Sequence, residues 1–225
     1  MSALGRPRVH LRRTGSTNDR ARELATAGAP HGTLVTAGEQ TAGRGRQGRT
    51  WIAPPGKALL LSLVIRTPQA LLSLRAGLAV ADIAGPGAQI KWPNDVLLEG
   101  RKVAGVLVEA RPQEGWAVLG IGVNLSVEAL DLPVELRGTA AGLGRPAHEL
   151  DSALAELLIA LDQRLAEPVE ETLEALRTRD ALVAQRVTWS DGSGIGSGID
   201  ERGALLVRTT AGGIVALESG EVHLV

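Results

Sequence analysis

Two consecutive runs, Lys102–Ala110 and Trp116–Leu125, constrain the fold of this chain more than any other feature. The first reads Lys-Val-Ala-Gly-Val-Leu-Val-Glu-Ala and the second Trp-Ala-Val-Leu-Gly-Ile-Gly-Val-Asn-Leu. Both are rich in β-branched and aliphatic residues, and a short polar link containing Pro and Gly joins them, which predicts a hairpin. Alternate residues of a strand share one face. Gly120 and Gly122 therefore strip the side chains from one face of the second strand, and Gly105 does the same in the first. Glycines placed this way open space beside a backbone. Either a ligand or a closely packed element fills it.

The rest of the chain supplies elements around that hairpin. Val9–Arg13 and Thr33–Ala37 read as strands, and Ala58–Ile65 reads as a buried one. Ser16-Thr17-Asn18 precedes an Ala-rich stretch, Asp19–Ala27, as polar caps precede a helix, and Gly28 closes it. Leu71–Ala84 reads as a helix stopped by Gly85-Pro86-Gly87, with strand-like Gln89–Trp92 and Val96–Leu98 after it. Leu150–Leu165 and Val169–Leu182 carry helical periodicity. From Val187 onward, short strands split by Gly turns predict a small β module.

Composition removes several functions. The chain has no Cys, so disulfides, Cys-ligated metal and thiol nucleophiles are excluded. It has no Phe or Tyr and four Trp, so it lacks the aromatic platform on which RRM and OB folds stack bases. No apolar run is long enough to span a bilayer, and no secretory h-region precedes Ser16, so the expected compartment is the cytoplasm. Residues 1–111 carry 13 Arg and three Lys against seven acids, a surplus that could draw nucleic acid or an anionic small molecule. With 21 Arg in the chain, the three lysines stand out. Arg replaces a compact ammonium poorly, which marks Lys91 and Lys102 for point-charge chemistry.

Three further segments could carry chemistry. Gly43-Arg44-Gly45-Arg46-Gln47-Gly48-Arg49-Thr50-Trp51 combines a pliant backbone, three forked donors and a flat ring. It suits a nucleotide, yet it lacks the Gly-Lys-Ser/Thr ending of a phosphate-binding P-loop. An Arg-Gly surface loop that binds nucleic acid nonspecifically is the competing explanation. Lys91-Trp92-Pro93-Asn94-Asp95 puts two oxygen-bearing side chains at a strand end, where they could hold Mg²⁺ or a ribose or simply build a turn. Lys102 opens its strand beside the small residues Ala104 and Gly105. The four His are scattered without metal-ligand spacing.

Taken in this order, the segments resemble the biotin protein ligases, the biotin–[acetyl-CoA-carboxylase] ligase family. The likeness runs through Ser16-Thr17-Asn18, Glu39–Trp51, Lys91–Asp95, Arg101–Glu109 and Gly120–Asn124, and it extends into Ser197–Val207. It implies an α+β fold: a mixed β-sheet flanked by helices, of the class II aminoacyl-tRNA-synthetase-like type, over residues 1–182. A small C-terminal SH3-like β-barrel would occupy residues 183–225. It also implies two half-reactions. Biotin and Mg-ATP give biotinyl-5′-AMP, and the acyl group passes to a lysine of a biotin carboxyl carrier domain.

By the same resemblance, Ser16, Thr17, Asn18 and Gln40 would hold the biotin ring. Gly43, Arg44, Gly45 and Arg46 would close over the ligand, with Arg46 retaining the adenylate. Trp51 would stack on adenine, and Lys102 would bridge the biotin carboxylate and the α-phosphate, with Gly105 allowing close approach. Arg49, Asn94, Asp95 and Asn124 would lie near the nucleotide, and Asp95 near its metal ion. A lysine between two mutually repelling anions offsets that repulsion and stabilises the charge that develops during reaction. An acyl adenylate hydrolyses in water, so a closing loop is expected, mobile until ligand binds.

Fifteen residues precede Ser16, too few for the operator-binding winged helix that many members of the family carry. The expectation is a ligase without repressor activity or DNA binding, able to dimerise through an exposed sheet edge. The nearest alternative is a lipoate or octanoate ligase or transferase, which shares the larger fold.

Overall fold

The computed structural model describes residues 4–225. The expected hairpin is its centre. Strand β6 (Arg101–Arg111) pairs antiparallel with β7 (Trp116–Asn124), setting Gly105 opposite Gly122 and Leu107 opposite Gly120. Strand β3 (Ala58–Arg66) pairs antiparallel along the other side of β7, with Ser62 opposite Gly120. Strands β1 (Arg8–Leu11) and β2 (Leu34–Ala37) extend that side, parallel to each other. Strands β4 (Ala88–Lys91) and β5 (Asp95–Leu98) extend the opposite side. The result is one mixed seven-stranded sheet in the order β1-β2-β3-β7-β6-β5-β4.

Helices cover the two faces unequally. On one face lie α2 (Leu72–Ala84) and α3 (Leu150–Ala166), packed over Leu59, Leu61, Leu63, Val106, Leu119, Ile121 and Val123 in a single aliphatic core. The other face receives α1 (Thr17–Thr26), and its core is small: Ala21, Ala25, Val35, Val64, Trp116 and Val118. Helix α2 starts one residue later than its periodicity suggests, because Leu71 adopts a left-handed conformation (φ 60°). Helix α4 (Val169–Thr178) stops four residues short of Leu182. There the chain runs beside β4, where the Ile90 N–H donates to the Arg179 carbonyl and the Ala181 N–H to the Ile90 carbonyl.

The C-terminal module is a five-stranded antiparallel sheet. Its strands are β8 (Arg186–Trp189), β9 (Gly192–Ile199), β10 (Leu205–Thr209), β11 (Ile214–Leu217) and β12 (His223–Leu224), in the order β11-β10-β9-β8-β12. It is tied to the larger sheet by the buried Trp92, whose indole N–H donates to the Gly203 carbonyl at 3.0 Å. Among the described residues, no helix is long and apolar enough to cross a membrane.

Candidate active site

The glycine-cleared face is filled, at its floor, by the protein itself. A Cβ on Gly120 would lie 2.1 Å from Oδ1 of Asn18, and one on Gly122 would lie 2.6 Å from Cε2 of Trp51. One on Gly105 would meet Trp51 at 3.2 Å and the Lys102 stem at 3.3 Å. The room expected for a ligand at these glycines belongs instead to Asn18 and Trp51, whose side chains form the wall of a cavity above them. The glycines make room for those side chains and also line the cavity themselves.

At one end of that cavity is a buried polar pocket. Helix α1 begins at Thr17, so Ser16, Thr17 and Asn18 are pressed against the sheet and buried. Oε1 of Gln40 accepts the Thr17 N–H at 2.7 Å and the Thr17 hydroxyl at 3.0 Å. The Ser62 hydroxyl lies 2.6 Å from Oδ1 of Asn18 and 2.8 Å from the Thr17 oxygen. Asn18 donates its other amide end to Glu109 at 2.7 Å. Ser62 and Glu109 had no role in the sequence reading. Their signals were one Ser inside a Leu run and one carboxylate ending an apolar strand.

At the other end charge gathers. The β4–β5 hairpin turns through Trp92-Pro93 and sets Lys91 opposite Asp95, which itself lies opposite Gly105 on β6. Asp95 is 2.6 Å from Nζ of Lys102 and 4.0 Å from Nζ of Lys91. The Lys102 ammonium lies 5.7 Å from the centre of the Trp51 ring, within cation–π range. Asn94 accepts from Arg46 at 3.4 Å and donates to the Val106 carbonyl at 3.0 Å. Burial pushes the Lys91 and Arg46 pKa values below their ordinary range, with Asp95 opposing. Arg44, Arg46, Arg49, Lys91 and Lys102 all line the cavity, against the carboxylates of Asp95 and Glu221. Such a surplus of cations, with Lys91 and Arg46 partly desolvated, suits a bound polyanion.

The glycine–arginine loop has a defined shape. The Gly45 N–H donates to the Arg49 carbonyl at 2.7 Å, and the Trp51 N–H to the Gly43 carbonyl at 2.9 Å. A Cβ on Gly43 would lie 2.5 Å from the Trp51 carbonyl, so this close approach needs glycine. Two of the loop's arginines, though exposed, are tied to carboxylates. Arg44 pairs with Asp19 at 2.6 Å, and Arg49 pairs with Glu221 of the C-terminal module. Glu221, Val222 and His223 complete the cavity wall, a contribution no motif announced.

Two expected site residues lie elsewhere. Gly43 sits behind the cavity, under Trp51 and Gln40. Asn124 is buried at the end of β7, where its amide donates to the Ala141 carbonyl at 3.1 Å and its Oδ1 has no hydrogen-bond partner. The other residues expected at the site, from Ser16 to Gly105, all line the one cavity. Asp95 does not fit a resident metal site. Its neighbours are ammonium groups, and among the described residues no group of three or more His, Asp or Glu could hold an ion.

A mixed sheet bearing a buried amide–hydroxyl pocket, a lysine-rich anion end and a glycine–arginine loop defines a class of ligase. Residues 10–126 match the model of the biotin/lipoate A/B protein ligase family, and the chain belongs to that family. Within it the similar proteins are biotin ligases. The biotin–[acetyl-CoA-carboxylase] ligase of Paracoccus denitrificans is 39% identical over 90% of this chain and 94% of its own length. The bifunctional ligase/repressor of Bacillus subtilis is 34% identical over 93% of this chain and 71% of its own. The structure of the Aquifex aeolicus biotin protein ligase with biotin and ATP superposes with a TM-score of 0.84 at 26% identity, covering 98% of this chain and 99% of that one.

Proposed function

We propose that this chain condenses biotin with ATP to biotinyl-5′-AMP and then transfers biotin to one lysine of a biotin carboxyl carrier domain. The observation that carries the reading is the cavity's polarity. A buried hydrogen-bonding pocket at Thr17, Asn18 and Gln40 suits a ureido ring. The Lys91–Asp95–Lys102 end suits a carboxylate meeting a phosphate. In the first step a biotin carboxylate oxygen attacks the α-phosphorus and pyrophosphate leaves. Lys102 would neutralise both anions, exchanging Asp95 for them. In the second step the acceptor amine attacks the acyl carbon and AMP leaves.

Positioning and electrostatics dominate such phosphoryl chemistry. Arg46, already partly desolvated beside Asn94, would retain the adenylate. The Trp51 indole N–H is buried without an acceptor. An unmade hydrogen bond of this kind costs about 1–3 kcal/mol, and a bound nucleotide that offers the N–H an acceptor would recover it. We assign catalysis to residues 1–182 and an accessory role to the β module of residues 183–225. We place the reaction in the cytoplasm and expect no operator binding from these residues. Any dimer would form through a free sheet edge.

The test incubates the protein with biotin, Mg-ATP and a carrier domain and probes the carrier with streptavidin. Labelling is expected, and Arg46→Gly should release adenylate that labels bystander lysines. An unlabelled carrier, or labelling equally fast with Lys102→Ala, defeats the reading. Faster modification by lipoate or octanoate than by biotin would move the chain to the other branch of the family. A gel shift showing specific operator binding at physiological salt would overturn the last part.

A further inference from the structure

Asp19 and Glu109 lie outside the cavity, yet both hold its parts. They come from different elements, the first turn of α1 and the far end of β6. Period-two alternation puts Glu109 on the same face as Gly105 and Leu107, so it points toward α1. There it accepts the Asn18 amide at 2.7 Å and lies 3.5 Å from Arg22 and 3.5 Å from Arg44. Asp19 accepts from Arg44 at 2.6 Å and also pairs with Arg22. Two carboxylates thus share two guanidiniums, and one of those guanidiniums belongs to the glycine–arginine loop.

The Asn18 amide is fixed from both sides. Its oxygen faces the Ser62 hydroxyl and its nitrogen faces Glu109. Glu109 is the acceptor that holds the nitrogen, and without it the amide is free to turn over in the pocket floor. Glu109 sits beside the start of α1, where the helix's positive end favours a carboxylate. Arg44 is held differently. Its contacts span 25 and 65 residues of sequence, so they tie the loop to the body of the protein rather than to itself.

We propose that Asp19 and Glu109 form a clasp, a pair of positioning residues that closes the arginine loop by Arg44 and aligns the ring pocket by Asn18. The loop half stands on geometry alone, whereas the pocket half rests on the proposed biotin activity. The division of labour is specific. Arg44 leans on both carboxylates, whereas Asn18 touches Glu109.

The experiment uses Asp19→Asn, Glu109→Gln and the double variant of the full chain. The first readout is limited trypsin digestion of ligand-free protein, scored as cleavage after Arg44, Arg46 and Arg49 against cleavage at arginines elsewhere. Exposed ion pairs are individually weak and add when independent. Loop cleavage should therefore rise about 3-fold in each single variant and about 10-fold in the double, with other sites unchanged. The second readout is biotin binding by calorimetry. Glu109→Gln keeps an acceptor for Asn18 but makes a charged hydrogen bond neutral, so it should weaken binding about 5-fold, and Asp19→Asn less than 3-fold, as for an exposed pair. Loop cleavage at the wild-type rate in the double variant, or equal acceleration at every site, overturns the clasp. If wild type binds biotin and Glu109→Gln binds it as tightly, the Asn18 half is wrong. If wild type binds none, the function reading falls and the digestion alone decides the clasp.

Discussion

The two faces of the seven-stranded sheet use the same strands for opposite ends. Along β7, Leu119, Ile121 and Val123 point under α2 and α3 and are buried in the aliphatic core. The residues between them, Gly120 and Gly122, point toward α1 and carry no side chain. On β3, Leu61 and Leu63 face the core, whereas Ser62 faces the pocket. One face maximises apolar burial. The other gives up burial to leave Asn18 and Trp51 room to stand. Stability and chemistry are thus separated by a single step along the backbone, and substitutions one residue apart should fail in different ways.

Lys102→Ala should break the site face most severely. Removing a preorganised charge from a transition state costs about a thousandfold, or ~4 kcal/mol. The measurement is biotinyl-AMP formation from labelled ATP, with the melting temperature as a check that the fold survives. Leu119→Ala tests the other face, because a fully buried Leu costs about 3 kcal/mol when truncated. Urea titration should show that loss, while activity per folded molecule stays within a factor of about two. Gly120→Ala then crosses the comparison. Its Cβ would collide with Asn18, so biotin binding should weaken about tenfold while urea stability falls less than for Leu119→Ala. Equal losses of stability in both variants would show that the faces are not separable.

The smallest effect is a control beyond both faces. Asp180 follows α4 beside the edge strand β4, buried, with Oδ1 accepting the Leu182 N–H at 2.8 Å and Oδ2 unpartnered. Burial raises its pKa. The folded state therefore binds this proton more tightly than the unfolded chain. The stability this proton confers is fully present below the unfolded carboxylate range and is lost as pH rises through the raised value. Asp180→Asn keeps the acceptor and removes the charge. It should be more stable than wild type at pH 7, by about 1 kcal/mol, and the advantage should vanish by pH 3. Urea midpoints at the two pH values check it.

Much of this was legible in the sequence because the motifs are local. The hairpin glycines, the Lys91–Asp95 turn and the arginine loop each declare themselves within ten residues. Pairings across long separations did not. Arg49 and Glu221 are 172 residues apart, and Asn18 and Glu109 are 91 apart. No pattern in one sequence links such residues, since only the folded sheet brings them together. The tenants of the glycine face were equally hidden. A missing side chain tells that something is close, and says nothing of whether it is a ligand or an indole.

That indole has an optical consequence. The chain absorbs near 280 nm through four tryptophans, with no tyrosine beneath them. Trp116 is buried with its N–H on Glu114, Trp189 lies in the C-terminal module, and Trp92 is pinned to Gly203. Trp51 rests with its buried N–H lacking an acceptor, beside an ammonium, on a floor of two glycines. A change in emission when the cavity fills therefore reports on Trp51 and Trp92, the two tryptophans that line it, and the protein carries a gauge of its own occupancy.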